Sequence, residues 1–507
     1  MINWKNNGSV SEKFGTGRLK CTGPEHIMAN TYDVAIIGAG LLGTFTARSL
    51  MRCRCNVCVI EKQSDVCGGI SKANSAVVYS GYDVYPGTLK AALCVPAAEE
   101  FPALCEELGV SYSRCGSIIV CSGPEGEASI REKYAQGLEN GVKGLKLLTS
   151  GEVLSLEPNI SPSVRMGMYS ENSGTADPWE LGIAAFENAR AAGAEFFFST
   201  EVCDIRQRDG GFELITDKNT IFARCIINCA GLFADKIREM LFAPKVRIMT
   251  STTDYAVFGR SSRGFVKHVI FMEQEDRKKG ITAVPTVDGN LLIEGPYKNK
   301  TKGHESICTA EGIRELLQQG REILPGLDGS DVIRYFSAVR PGPYYTEEKD
   351  GRFIRSRESI NSFAILKDTG MLSFVGIKTP GFTCAKHLGD LAADFAKEQL
   401  GGLQINKDFD PVRPAPVRVS GMTPEEHEAL VKEDPGYGKI VCRCEMVTEA
   451  EIRNAIHAGA STLDGIKRRC HTSMGQCQGD FCTARTAEIL AEESGRSLEQ
   501  VLEECHD

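Results

Sequence analysis

The sequence predicts an α/β protein: a Rossmann-like nucleotide-binding domain interleaved with a mixed-sheet α+β domain, then a small helical domain at the end. Three observations carry this. An apolar strand runs through spaced glycines into a helical pattern at "YDVAIIGAGLLGTFTARSL". The same strand, glycine, helix order returns at "CIINCAGLFADKI" and at "LSFVGIKTPGFTCAKHLGDLAADFA". Two cysteine pairs, "VCRCE" and "CQGDFC", stand near the C-terminus beyond a proline-rich, charged stretch.

Length comes first, because 507 residues exceed one ordinary core and call for two or three domains. Hydrophobic residues at 42%, charged residues at 25% and 52 glycines describe a globular chain with many tight turns. A net charge of -9 without a basic stripe excludes nucleic acid as a partner. No uninterrupted apolar run reaches about eighteen residues, so no transmembrane segment is expected, while peripheral membrane contact stays open. Residues 1–30 are polar, lack the apolar segment of a secretory signal, and read as a loose tail. Glu12 and Glu25 argue against an organelle transit peptide. Twenty cysteines without a secretory signal point to a reducing, cytoplasmic setting. Cys53, Cys55 and Cys58 are expected to pack in a core.

The first glycine motif is specific because of its context. Gly38 permits the tight turn, Gly40 lets backbone amides approach a pyrophosphate, and Gly43 lets the helix lie close to the strand. The anion sits at the positive end of that helix. A second strand, "NVCVIE", ends on Glu61, eighteen residues beyond Gly43, where a carboxylate accepts from ribose hydroxyls. The motif alone does not separate NAD from FAD. The small residues Cys229, Ala230 and Gly231 allow close approach to a bound adenosine portion. Gly376 and Gly381, around Pro380, open a helix whose positive end faces a ring and stabilises its reduced anion. Three such units converging on one ligand favour FAD over a plain NAD domain.

In this order "GAGLLG", "SKANSAVVYSGYD", "NCAG" and "GIKTPGFT" resemble the D-amino-acid-oxidase type flavoproteins. The likeness is greatest to the branch of anaerobic glycerol-3-phosphate dehydrogenase large subunits and 2-hydroxyglutarate dehydrogenases, and it runs from about Tyr32 to about residue 400. It implies FAD along Gly38, Gly40, Leu41, Leu42, Gly43, Glu61, Lys62, Ser71, Asn74, Ser75, Val202, Cys229, Ala230, Gly231, Gly376, Gly381 and Phe382. It also sets the expected domains: FAD-binding parts at about 31–90, 150–240 and 340–405, and substrate-domain parts at about 91–150 and 241–340. A linker follows at 406–438 and a terminal domain at 439–507.

Relatives of this type oxidise a C–H bond beside a hydroxyl or amine, which requires an anchor for the substrate's anion and a proton acceptor. Arginine's planar fork suits the anchor, and Arg340 in "SAVRPGP" is the leading candidate, ahead of Arg352 and Arg355. Lys378 lies in the flavin-side loop. Where relatives carry histidine in "NSGVVHAGYD", this chain has Tyr79, and tyrosine is a poor base at neutral pH unless a cation lowers its pKa of about 10. Tyr79 is therefore expected to hydrogen-bond substrate, leaving Lys378, water or the flavin surroundings to manage the proton. His268 and His387 read as structural. Asp288 and Gly289 mark a hairpin of the substrate domain, without catalytic content.

Cys442, Cys444, Cys477 and Cys482 form a four-thiol set, with Thr448 and Glu451 spaced as a capping box between the pairs. Zinc and a two-iron cluster both accept four thiolates, but C-x-C with a distant C-x4-C departs from zinc habit. The segments "VCRCEMVTEAEI" and "KRRCHTSMGQCQGDFC" resemble the bacterioferritin-associated-ferredoxin type domain, which implies a 2Fe-2S cluster. Arg443, Lys467, Arg468 and Arg469 are expected to offset its charge, with Cys470 outside the ligand set. A cluster accepts electrons singly from a flavin reduced by two. The expected function is thus oxidation of a small anionic hydroxy compound, glycerol 3-phosphate first. Electrons would pass through 2Fe-2S to an acceptor such as a second flavoprotein subunit or a quinone. Alternatives are 2-hydroxyglutarate or an amino or imino acid of the opine or hydroxyproline type as substrate, or a non-catalytic electron-transfer subunit.

Overall fold

A computed structural model describes residues 31–274, 279–298 and 307–503. The tail expected at 1–30 lies outside the described residues. The run Thr31–Ile37 is buried along almost its whole length, as a central strand of a sheet covered on both faces must be. It pairs in parallel with Val57–Ile60 on one side and Thr220–Asn228 on the other. Glu195–Phe197 and Met371–Phe374 continue the parallel set. Antiparallel strands Val202–Arg208, Gly211–Thr216 and Ile365–Asp368 complete an eight-stranded sheet. The helices Leu41–Met51, Glu180–Ala191 and Ala385–Gln399 supply Ala47, Leu50, Phe186, Leu388 and Ala392 to a core that includes Val34, Ile36 and Val59.

A nine-stranded mixed sheet stands over this domain, in the order Arg352–Arg355, Val332–Lys349, Val246–Phe258, Leu291–Glu294, Lys279–Pro285, Val269–Glu273, Ser117–Cys121, Met166–Ser170, Leu145–Thr149. Alternation gives it two faces. Helix Ala310–Ile323 covers one through Leu316 and Ile323, packed with Ala256, Phe258 and Ile293. The other face, with Tyr255, Val284, Leu292 and Ala338, turns toward Val77 of the nucleotide-binding domain. This sheet crosses the sequence boundaries expected at 150 and 340, taking in Met166–Ser170 and all of Val332–Lys349. Helix Leu89–Leu108, in the segment assigned to the substrate domain, instead gives Phe101 and Leu104 to a core with Leu41 and Phe45. Pairing across distant sequence decides these memberships, so local pattern could not show them. The hairpin around Asp288 joins Lys279–Pro285 to Leu291–Glu294 as expected.

From residue 406 the chain runs extended along the body. Arg48 Nη2 donates to the Pro411 carbonyl at 2.9 Å, Asn188 Nδ2 to that of Asp410 at 3.0 Å, and Arg413 pairs with Glu187 at 2.7 Å. Within the expected linker, Thr423 and Glu426 form a capping box that starts helix Pro424–Glu433. Neighbouring Val419 and Tyr437 pack with Ala450, so this stretch belongs to the terminal domain. That domain comprises a hairpin of Ile440–Cys442 and Val447–Thr448 and helices Glu449–His457, Leu463–Cys470, Thr483–Ser494 and Leu498–Glu503. The capping box of Thr448 and Glu451 is present. No described helix is long and apolar enough to cross a membrane.

Candidate functional site

The nucleotide cradle is built by contacts that leave no space for side chains. A Cβ on Gly43 would lie 1.9 Å from the Gly38 carbonyl, and one on Gly38, at φ +99°, would lie 2.6 Å from the Cys229 carbonyl. The helix therefore touches its own turn, and that turn touches the strand carrying Cys229. Glu61 accepts from the backbone N–H groups of Ala39, at 2.7 Å, and Gln63, at 2.9 Å. Burial raises its pKa against the pull of those two donors. The Leu41 N–H, at the start of the helix, donates to Ser71 Oγ at 3.0 Å. Ser71 and the glycine turn thus come together across thirty residues of chain. Glycines that no side chain could replace, open N–H groups at a helix start and a carboxylate at the second strand's end fit a dinucleotide cofactor.

Other residues from the sequence reading fall less directly. Asn74 donates to the Ser71 carbonyl at 2.9 Å and accepts from Ala76 N at 2.7 Å, so its side chain holds the loop in shape. Ala76 occupies φ +52°, a left-handed conformation that glycine adopts more readily. The Lys62 ammonium sits 3.7 Å from the Phe233 ring centroid. Val202 and Cys229 are buried, and burial pushes the Cys229 thiol up to about 12. The Phe382 ring packs against Phe101 at 5.8 Å, which leaves its backbone as the part that faces the loop. Leu42 packs against the cores on both sides of its helix. Gly231, at φ +57°, has open space where a side chain would be.

On the inward face of the mixed sheet, Arg340 Nη1 donates to the Tyr297 hydroxyl and Nη2 to Thr379 Oγ1 at 2.9 Å. The guanidinium also lies 4.2 Å from the Tyr297 ring centroid. Burial works against its charge, and Tyr297 and Glu294 outweigh burial. Burial and Arg340 lower the pKa of Lys378. Lys90, which sequence reading missed, is lowered to about 8 by burial first and by Lys378 next. Three cations therefore converge on one space, an arrangement that a bound anion relieves. The Tyr79 ring lies 5.6 Å from Phe271, and its backbone N–H donates to Thr383 Oγ1 at 3.0 Å. Burial, then Glu294 and Tyr297, hold its phenol well above the ordinary tyrosine range, so Tyr79 keeps its proton. His268 binds Glu157 at 2.7 Å and serves structure, as expected. Arg352 and Arg355 lie on the exposed edge strand, away from this space.

The four terminal thiols lie as two pairs. Cys444 Sγ is 3.6 Å from Cys477 Sγ, and Cys442 reaches Cys482 by a side-chain hydrogen bond. Backbone N–H groups of Gly479 and Phe481 lower the Cys477 pKa, as a thiolate ligand requires. Met446, His471, Ser473 and Gln478 all take positive φ in the loops around these thiols. That concentration of strained backbone fits loops shaped around a bound cluster. Cys470 donates to the Ile466 carbonyl and is buried core, outside the set.

Two of the basic residues expected to offset cluster charge are used elsewhere. Arg469 grips Asp65 with both terminal nitrogens, at 2.6 and 2.9 Å, and Arg468 reaches the same carboxylate at 3.1 Å. Asp65 lies just after the Glu61 strand, so these arginines dock the terminal domain on the nucleotide-binding domain. Lys467 remains within electrostatic reach of Cys482. His471 stands between Asp177 at 2.9 Å and Asp288 at 3.4 Å, which joins all three domains. Asp288 thus has a docking role in addition to its turn. From the mixed-sheet domain, Arg260 pairs with Glu445 at 2.6 Å. A cavity of about 320 Å³ separates Asn74 and Ser75 from Glu445 and Gln478 of the cluster loop.

Fold and site define a flavin oxidoreductase with an iron-sulfur extension. Residues 33–395 match the FAD dependent oxidoreductase family (DAO), and residues 440–492 match the BFD-like [2Fe-2S] binding domain. The chain belongs to the FAD-dependent oxidoreductase family, carries FAD and a 2Fe-2S cluster, and is an enzyme, which removes the non-catalytic alternative. It is 36% identical over 472 residues to a glycerol 3-phosphate dehydrogenase of Caloramator mitchellensis, covering 93% of this chain and 96% of that one. It is 30% identical over 299 residues to the mitochondrial L-2-hydroxyglutarate dehydrogenase of Bos taurus, covering 56% of this chain and 64% of that one. The fold resembles the dithionite-reduced L-alpha-glycerophosphate oxidase of Mycoplasma pneumoniae with FAD bound, with TM-score 0.69, 23% identity, 77% of this chain and all of that one. The enzyme is of the glycerol-3-phosphate or 2-hydroxyglutarate oxidising type.

Proposed function

We propose that the chain oxidises sn-glycerol 3-phosphate to dihydroxyacetone phosphate and passes the electrons singly through its cluster to an external acceptor. The observation that carries this reading is the near full-length likeness to a glycerol 3-phosphate dehydrogenase, which extends through the cluster domain. The convergence of Arg340, Lys378 and Lys90 supports it, because the oxygens of one phosphate dianion can meet three cations at a single locus.

In this reading Gly38, Gly40, Leu41, Leu42 and Gly43 cradle the FAD pyrophosphate, and Glu61, with Lys62, takes the ribose. Val202, Cys229, Ala230 and Gly231 border the adenosine, while Ser71, Asn74, Ser75, Gly376, Gly381 and the Phe382 backbone line the flavin. Bound FAD supplies a two-electron acceptor for hydride. Arg340 anchors the phosphate, pre-oriented by Tyr297 and Thr379. Tyr79, still protonated, donates to the substrate's reacting oxygen. Cys442, Cys444, Cys477 and Cys482 hold the cluster on the far side of the 320 Å³ cavity from the flavin loop.

Anaerobic titration of the purified holoenzyme tests the reading. Flavin bleaching by glycerol 3-phosphate, followed by cluster reduction, is the expected result. Bleaching by L-2-hydroxyglutarate, proline or a glycine derivative, with none by glycerol 3-phosphate, would move the assignment to that substrate.

A further inference from the structure

Tyr79 leaves the chemistry short of a proton acceptor, and the sheet above it provides a carboxylate. Glu294 ends the strand Leu291–Glu294 and is only 2% exposed. Its cross-strand partners are Tyr255 on one side and Thr282 on the other, and Thr282 in turn faces Phe271. Tyr255 stands opposite Phe336, two positions along the same strand face from Ala338 and four from Arg340. Directly paired residues share a face, and so do residues two apart along a strand. Phe271, Thr282, Glu294, Tyr255, Phe336 and Arg340 therefore form one surface, and the Tyr79 ring rests on its Phe271. Neighbouring Ala256 and Ile293 take the opposite face, under the helix. A charged side chain in the apolar run "LLIEGP" is thus directed to the site by strand parity.

We propose that Glu294 is the catalytic base, accepting the substrate's hydroxyl proton. This rests on the function proposed above. The substrate's C–H bond breaks with its electron pair leaving as hydride to FAD, and its O–H bond breaks with the proton going to a Glu294 carboxylate oxygen. The electrons left by that O–H bond form the second C–O bond of the ketone. Tyr79 donates a hydrogen bond to the same oxygen.

Competing groups are poorly matched. Lys90 and Lys378 sit beside Arg340, and a bound phosphate raises their pKa values and keeps them protonated. Asp83 keeps solvent access, although the atoms packed around it raise its pKa, and its foremost charged neighbour is Lys133, ahead of Lys90 and Arg340. Among the described residues, Glu294 acts on Tyr79, Tyr255 and Arg340, and Tyr297 acts on the same three.

The test compares wild type, E294Q, E294D and D83N as FAD-loaded holoenzymes. Anaerobic stopped flow with glycerol 3-phosphate gives the flavin-reduction rate, and calorimetry gives the affinity of oxidised enzyme for sulfate, a fixed dianion. A loss of about 100- to 10,000-fold in E294Q, partial recovery in E294D and a change under threefold in D83N are expected. Sulfate affinity at pH 7 should rise at least about fivefold in E294Q, which removes a carboxylate charge from beside the bound dianion. Reduction of E294Q within threefold of wild type, or the large loss appearing in D83N, overturns the base assignment. If glycerol 3-phosphate fails to reduce wild type, the substrate reading fails by itself, and a sulfate affinity unchanged by E294Q still removes Glu294 from the site.

Discussion

Asp65 holds two arginines of the cluster domain, and Asp65→Asn should separate electron entry from electron exit. Asp65 is 2% exposed, Arg468 9% and Arg469 4% at the side chain, so the three charges are nearly out of water. Removing the carboxylate that both arginines bind leaves two guanidinium groups facing each other at the interface, with Glu187 acting on Arg469 from further off. Breaking a buried pair costs about 3–5 kcal/mol, and the upper half of that range applies because the residual pair is repulsive. About 1.4 kcal/mol per tenfold makes this roughly three to four powers of ten in the docking equilibrium. His471 with its two carboxylates and the Arg260–Glu445 contact still act, so the domain should loosen without detaching. Asp65's pKa is set by burial, which raises it, and by Arg469 and Arg468, which together lower it below the ordinary range. A depressed folded pKa gives stability that is complete above the unfolded value of about 3.9 and is lost as pH falls through the folded one. The pair should therefore contribute equally at pH 6 and pH 8. Stopped flow should show flavin reduction unchanged and cluster reduction slowed at least tenfold, with faster proteolysis between residues 406 and 423. Cluster reduction at the wild-type rate, with unchanged proteolysis, would refute the docking role.

Other consequences are direct. Gly43→Ala should abolish FAD retention, because its methyl group would meet the Gly38 carbonyl at 1.9 Å; the flavin-to-protein absorbance ratio of purified enzyme reads this. Arg340→Lys should raise KM for an anionic substrate by about 30- to 1,000-fold, equivalent to ~2–4 kcal/mol for a lost bidentate contact, with smaller loss for an uncharged polyol. Cys477→Ser should lower iron content and the thermal transition of the terminal domain while leaving FAD bound, since a small core depends on its metal centre. For His471, burial lowers the pKa but Asp177 and then Asp288 outweigh it, raising the value to about 10. A raised folded pKa gives stability complete below the unfolded value of about 6.5 and lost as pH rises toward 10. His471→Gln should accordingly increase linker proteolysis at pH 6 and have little effect above pH 10.

The cofactor cradle was legible from local pattern because its physics is local. Gly38, Gly40 and Gly43 act within one strand-turn-helix, and Glu61 terminates the next strand, so spacing carries the geometry. The four thiols were legible for a similar reason: ligand chemistry restricts residue type and spacing together. Arg340 stood beside the distinctive Pro-Gly-Pro of "SAVRPGP", which the structure places within the strand Val332–Lys349. Lys90, Tyr297 and Glu294 gave weaker signals. The clearest was an acid interrupting the apolar run "LLIEGP", and only the register with Tyr255 and Thr282 shows which way it points.

By itself the sequence determined the α/β class, the dinucleotide cradle, the four-thiol set and the terminal domain's separate character, all properties of short segments with strict stereochemistry. Tertiary structure alone decided that Met166–Ser170 and Val332–Lys349 share one sheet, and that Arg468 and Arg469 serve Asp65 more than the cluster. It also decided that His471 ties three domains. Those outcomes depend on charges and strand edges brought together from hundreds of residues apart, where burial makes an ion pair strong and no local periodicity records its partner.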